Sequence, residues 1–140
     1  MIVLDTHAWV WWVVGSPKLS ARGARALAAE DEIGVCPVSY WEMAMLVEKG
    51  RLRLDRDVTK WVHDALARPA IRIVELTPEI AVAAARLPEF HGDPADRMIA
   101  ATALALDCGV VMKDKKLRAY APLRTVWWQI VTVRPRKTAA

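Results

Sequence analysis

Four acidic residues, Asp5, Glu42, Asp96 and Asp114, stand where strand-like and helical patterns meet. Asp5 and Asp114 each follow a short apolar run, Ile2-Val3-Leu4 and Gly109-Val110-Val111-Met112, and Glu42 lies shortly after Ile33-Gly34-Val35-Cys36. Asp96 falls in the first turn of a helix whose Ile99, Ala103 and Leu106 recur on one face. Carboxylates gathered in one pocket repel each other and are costly to desolvate, so a cluster of this kind is expected to hold a cation. All four are hard oxygen donors, and no His or Cys shows ligand spacing, which favours Mg²⁺ or Mn²⁺ over zinc. Such ions bridge carboxylates and substrate phosphates. An acidic pocket on a chain of formal net charge +4 therefore suggests phosphodiester cleavage.

Each acid has a purely structural alternative. Ser39-Tyr40-Trp41-Glu42 fits an S-x-x-E capping box at the head of a helix, which gives Glu42 a reason to be there without chemistry. Asp93 followed by Pro94 reads as an N-cap and first helical residue, and this is preferred for Asp93 over metal ligation. Asp96 then occupies the third helical position, where a carboxylate can reach back to the cap and is favoured by the helix dipole. Arg97 can brace Asp93 or Asp96 or receive a phosphate bidentately; an orienting salt bridge is its expected role without RNA.

The elements that must position these residues alternate in kind. Ile2-Val3-Leu4 reads as a buried strand, then Ala8 to Val14 as a helix that is apolar all round. Ser20 can cap a second helix running to about Glu30, and Ile33 to Cys36 is the next strand. A helix from Ser39 stops at Gly50, and another from about Val58 to Ala67 precedes the strand-like Ile71 to Leu76. Thr77-Pro78-Glu79 opens a further helix; Pro88 and Gly92 punctuate the loop before the Asp96 helix. Gly109 to Met112 and Thr125 to Val133 read as the last strands. Short apolar runs alternating with helical patterns are the mark of an α/β fold with a mainly parallel sheet covered by helices on both faces. In such sheets ligands bind beyond the carboxyl ends of the strands, where Asp5, Glu42 and Asp114 are expected to meet and a crossover can bring Asp96.

With 140 residues, 54% of them hydrophobic, and seven Trp, the chain fits one domain over 1–133 with a basic tail over 134–140. No apolar run reaches the roughly 18 residues of a membrane span, so the expectation is a soluble cytoplasmic protein with no membrane partner. Cys36 and Cys108 sit in apolar surroundings as small hydrophobes.

The residues Leu4-Asp5-Thr6-His7, Ser39-Tyr40-Trp41-Glu42-Met43-Ala44, His91-Gly92-Asp93-Pro94-Ala95-Asp96-Arg97-Met98-Ile99-Ala100 and Lys113-Asp114 together resemble the PIN-domain ribonucleases, specifically the VapC toxins of bacterial type II toxin–antitoxin pairs. The match in order and spacing covers about residues 1 to 128. The resemblance implies a PIN-like three-layer α/β/α fold, Mg²⁺- or Mn²⁺-dependent endonuclease activity on RNA, and a cognate antitoxin as protein partner. It places Asp5, Glu42, Asp96 and Asp114 in the family's acidic quartet, with Thr6 and Ser39 as hydroxyls that orient carboxylates or bound water. Many relatives carry a Thr or Ser two residues before the fourth acid; Met112 stands there in this chain and weakens the role of Asp114.

Trp9, Trp11 and Trp12 fan over too wide an arc for one core-facing stripe. At least one is expected in a protein interface, either of a homodimer or of the antitoxin complex. Two other functions compete. A haloacid-dehalogenase-like phosphatase would also start with a strand ending in Asp, but it needs a second Asp where this chain has His7. A non-catalytic interaction module would use the acids only as caps and the Trp-rich helix as its surface.

Overall fold

The computed structural model describes residues 1–87 and 93–113, together with the backbone of two short strands, Thr125–Val126 and Ile130–Val131. His91, Gly92, Asp114, Trp127, Trp128 and the 134–140 tail lie outside the described residues.

The elements follow in the order β1 (Ile2–Leu4), α1 (Thr6–Val14), α2 (Ala21–Ala28), β2 (Ile33–Val35), α3 (Val38–Glu48), α4 (Val58–Leu66), β3 (Ile71–Ile73), α5 (Pro78–Arg86), α6 (Pro94–Ala105), β4 (Gly109–Val111), β5 (Thr125–Val126) and β6 (Ile130–Val131). The sheet order is β3-β2-β1-β4-β5-β6, parallel through the first five strands, with β6 antiparallel to β5. β1 is thus central, in register with β2 through Leu4 and Val35 and with β4 through Leu4 and Val111.

Side chains alternate across a strand, and here the alternation divides the core between two helical layers. Ile2, Leu4, Ile33, Val35 and Val111 pack with Trp9 of α1, Leu27 of α2 and Trp61 of α4. Val3 and Val110 point the other way and pack with Ile99, Ala100 and Ala103 of α6. The chain is therefore the three-layer α/β/α arrangement expected, and α5 closes over the outer side of α6 through Ile80, Ala84 and Ala101. Cys36 is buried in the α6 layer, where burial pushes its thiol up to about 11, consistent with a small hydrophobe. No helix among the described residues is long and apolar enough to cross a membrane.

The helix starts at Ser20, Thr77 and Asp93 follow the local signals. Ser20 Oγ accepts from the Gly23 amide, Thr77 Oγ1 from the Ile80 amide, and Asp93 Oδ1 from the Ala95 and Asp96 amides. Gly15 and Gly50 end α1 and α3 with φ of +67° and +68°, conformations that favour glycine.

Three expectations are corrected. The first helix begins at Thr6 rather than Ala8, because the Asp5 side chain itself caps it. The third begins at Val38, with Pro37 already in helical conformation at φ −55° and ψ −31°; Ser39 is inside the first turn and caps nothing. Finally, the segment from Thr125 is two strands, β5 and β6, paired antiparallel, and not one closing strand.

Candidate active site

Asp5 closes the central strand, and its carboxylate is the deepest charged group of the cleft, only 4% exposed. Its Oδ1 accepts from the Ala8 amide at 2.7 Å, capping α1, and its Oδ2 accepts from the Lys113 amide at 2.8 Å, just beyond β4. The Asp5 amide donates to the Val111 carbonyl at 2.9 Å. One residue thus joins the end of β1, the start of α1 and the end of β4. Burial pushes its pKa up to about 6; the two amide bonds hold it down against that, and the charge of Glu42 adds to the rise.

A pH-dependent stability follows. Because the folded-state pKa is raised above the ordinary 3.8, the folded protein holds this proton more tightly than the unfolded chain does. Stability from Asp5 therefore declines as pH rises from about 4 through about 6, by roughly 3 kcal/mol at 1.36 kcal/mol per unit. Asp5→Asn does not titrate and supplies a constant offset, since it leaves one of the two amides facing an NH₂ group. In EDTA, the unfolding free energy of the variant minus that of wild type should rise by about that amount between pH 4 and pH 7. A difference that stays flat would contradict the buried-carboxylate account.

Thr6 Oγ1 and Ser39 Oγ share a hydrogen bond at 3.0 Å; both residues are buried. This bond ties the start of α1 to α3, one turn before Glu42. The Glu42 carboxyl is pushed up by burial, held down by hydrogen bonding to the Thr6 hydroxyl, and pushed up again by the charge of Asp93. The capping-box explanation of Glu42 fails with the early start of α3. Its side chain instead faces a cleft of about 440 Å³ lined by Asp5, Thr6, His7, Glu42, Asp93, Asp96 and Lys113.

Three of the four expected acids, Asp5, Glu42 and Asp96, therefore share one cleft; Asp114 lies outside the described residues. Asp93 joins them, lining the cleft while it caps α6. Four carboxylates and the Thr6 hydroxyl make the donors of the cleft mostly hard oxygen, the chemistry suited to Mg²⁺ or Mn²⁺, with the His7 imidazole beside them. As the side chains stand, no group of three His, Cys, Asp or Glu among the described residues forms a ready ligand set.

Arg97 has another task besides any it has toward the acids. Its Nε donates to the Ala84 carbonyl at 2.9 Å, and its Nη2 to those of Ala85 at 3.2 Å and Leu87 at 3.0 Å. The guanidinium thus takes up carbonyls at the end of α5 and fastens them to the first turns of α6. Two further residues of the cleft, His7 and Lys113, stand in the motifs that carry the resemblance but received no role there. His7 is half-buried, and its pKa is lowered by burial and then by the charges of Lys113 and Lys18. Lys113 has one available signal, its place directly after an apolar strand.

The tryptophans divide. Trp9 is fully buried against Trp61 and Tyr40, at ring separations of 5.3 and 5.8 Å. Trp11 and Trp12 are half-buried, each with a cation over its ring: Lys113 Nζ at 5.2 Å and the Arg68 guanidinium at 5.4 Å. Arg68 also donates to the Val13 carbonyl at 2.9 Å.

The fold has counterparts among known proteins. A family model described as PIN domain matches residues 2–123. Over 129 residues the chain is 37% identical to Ribonuclease VapC22 of Mycobacterium tuberculosis, covering 90% of this chain and 98% of that protein. Among solved structures, VapBC2 from Rickettsia felis bound to a DNA fragment from their promoter superposes with a TM-score of 0.65 at 17% identity, covering 90% of this chain and 99% of the other. A toxin–antitoxin complex from Klebsiella pneumoniae gives 0.63 at 18%, covering 87% and 93%. FitAcB from Neisseria gonorrhoeae gives 0.62 at 21%, covering 89% and 96%.

Proposed function

The chain belongs to the PIN-domain family, and from that premise we propose that it is a metal-dependent endoribonuclease, the toxin of a type II toxin–antitoxin pair. The observation that carries the reading is the meeting of Asp5, Glu42 and Asp96, from three distant stretches of sequence, in one cleft at the carboxyl end of the central strand. Caps alone would give no reason for the three to converge. Family membership also sets aside the phosphatase alternative.

Asp5, Glu42, Asp96 and Asp114 would hold Mg²⁺ or Mn²⁺. When bound, such an ion supplies Lewis acidity toward the phosphodiester and lowers the pKa of a coordinated water. The chain's own residues do the rest. The Ala8 and Lys113 amides fix both oxygens of Asp5 in one plane while leaving each a further lone pair. The Thr6 hydroxyl orients Glu42, and Ser39 Oγ holds Thr6 in place. The N-terminus of α6, capped by Asp93, presents its positive dipole end toward the cleft where an anionic substrate would enter.

The VapC relative is named a ribonuclease, and two of the structural neighbours are titled as a toxin–antitoxin complex and as VapBC2. They support RNA as substrate and a cognate antitoxin as partner. A homodimer, with Trp11 or Trp12 at a protein contact, belongs to the same reading, as does action in the cytoplasm. The test is direct: purified protein incubated with single-stranded RNA should produce internal cleavage with Mg²⁺ or Mn²⁺ and none in EDTA. Intact RNA under all conditions, or cleavage indifferent to EDTA, would overturn the proposal.

A further inference from the structure

Four carboxylates line the cleft among the described residues, yet a nucleic-acid substrate brings a negative charge with every phosphate. Beyond what a metal ion held by those acids offsets, a cationic side chain beside them would favour a phosphate. Among the described cleft residues one is a lysine or arginine, Lys113. It is fixed at two points. Its main-chain amide is bonded to Asp5 Oδ2 at 2.8 Å, and its Nζ lies 5.2 Å from the centroid of the Trp11 ring. Trp11 is itself braced by the His7 ring, 5.6 Å away and tilted by 56°.

No ion pair joins this ammonium to a carboxylate among the described residues, although acids line the same cleft. An ammonium resting on a ring face keeps its full charge and its three N–H donors, whereas one paired with a carboxylate would have spent both. A compact ammonium is suited to meeting a phosphate as a point charge.

We propose that Lys113 is the substrate-phosphate contact of the cleft, and that Trp11 is a positioning residue that holds the ammonium at the entrance, clear of the acids. The assignment rests on the ribonuclease reading above. It gives half-buried Trp11 a role within the chain itself and accounts for a lysine standing beside the most buried acid.

The test uses the full-length protein and a short, fluorescein-labelled single-stranded RNA of mixed sequence, with binding followed by anisotropy and cleavage followed with Mn²⁺. Lys113→Gln should weaken RNA binding and raise KM about tenfold, with kcat changed by no more than about twofold. Its plot of log affinity against log salt should be shallower by about 0.7, the loss of one phosphate contact to a single strand. Lys113→Arg should restore most of both. Trp11→Leu should raise KM about two- to fivefold, the scale of a partly exposed cation–π contact. In every variant Mn²⁺ should raise the melting temperature as it does in wild type, since the acids are untouched. A Lys113→Gln protein with wild-type KM and salt slope would overturn the proposal. So would an effect confined to kcat with loss of the Mn²⁺ response, which would make Lys113 a brace for Asp5. If wild type binds the RNA without cutting it, the ribonuclease reading falls while the salt slope still decides the role of Lys113. A wild type that does not bind RNA overturns both.

Discussion

Asp5→Asn and Asp96→Asn should each lower the rate of RNA cleavage by at least about a hundredfold, the scale of losing one principal electrostatic element of a reactive site. Both substitutions keep size and remove one negative charge from the cleft. For Asp5 the argument is strongest: a carboxylate only 4% exposed, with a pKa pushed up to about 6, is held at a cost that a bound cation would offset. Mn²⁺ should raise the melting temperature of wild type and do so much less for either variant. Asp114→Asn should be milder, because Met112 supplies no hydroxyl to hold that carboxylate. Cleavage at the wild-type rate by both Asp5→Asn and Asp96→Asn would sink the acidic-quartet reading.

Trp9→Ala should destabilise the domain by about 3–5 kcal/mol, the range for emptying a buried aromatic site. Trp9 stands at the centre of the larger core layer, packed on Trp61 and Tyr40, with no exposed surface. Trp9→Phe should cost much less. It keeps most of the ring contact and removes a buried Nε1–H that has no hydrogen-bond partner among the described residues. Trp11→Ala and Trp12→Ala leave smaller cavities at half-buried positions and should stay folded. Urea denaturation of the four proteins checks the order; a Trp9→Ala domain as stable as Trp11→Ala would mean that this layer is not organised around Trp9.

Much of this architecture could be read along the chain because its signals are local. Three-residue apolar runs mark β1, β2 and β4, and Ser20, Thr77-Pro78 and Asp93-Pro94 mark helix starts with side chains that reach only two or three residues ahead. The convergence of Asp5, Glu42 and Asp96 was legible one step less directly, through the rule that parallel sheets open their clefts at strand ends. What escaped depends on contacts across long separations. The Ser39 capping box was a sound local pattern defeated by Pro37, whose own conformation starts α3 early and frees Ser39 Oγ for Thr6, 33 residues away. The Arg97 bonds span 10 to 13 residues, and the Lys113 amide reaches Asp5 across 108. The Lys113 contact lies far outside any reading window, and no local pattern marks the carbonyls that Arg97 takes up. Asp5 also shows that cap and cleft acid are compatible: the same carboxylate caps α1 and lines the cleft.

The bond between Asp5 and the Lys113 amide bears on how the protein is made. β1 is synthesised first, yet one of its two neighbours, β4, spans residues 109–111, and the second amide on Asp5 comes two residues later still. A nascent chain still lacking that stretch has β2 to pair with but neither the far edge of the cleft nor the amide that holds Asp5 Oδ2. Such late, long-range closure is slow compared with the local helices that precede it. A nascent chain that stops short of residue 113 therefore has helices and an incomplete sheet, without the amide that completes the Asp5 end of the cleft. On the ribonuclease reading proposed above, the cleft could not act on the messenger being read before residue 113 had emerged and folded back on Asp5.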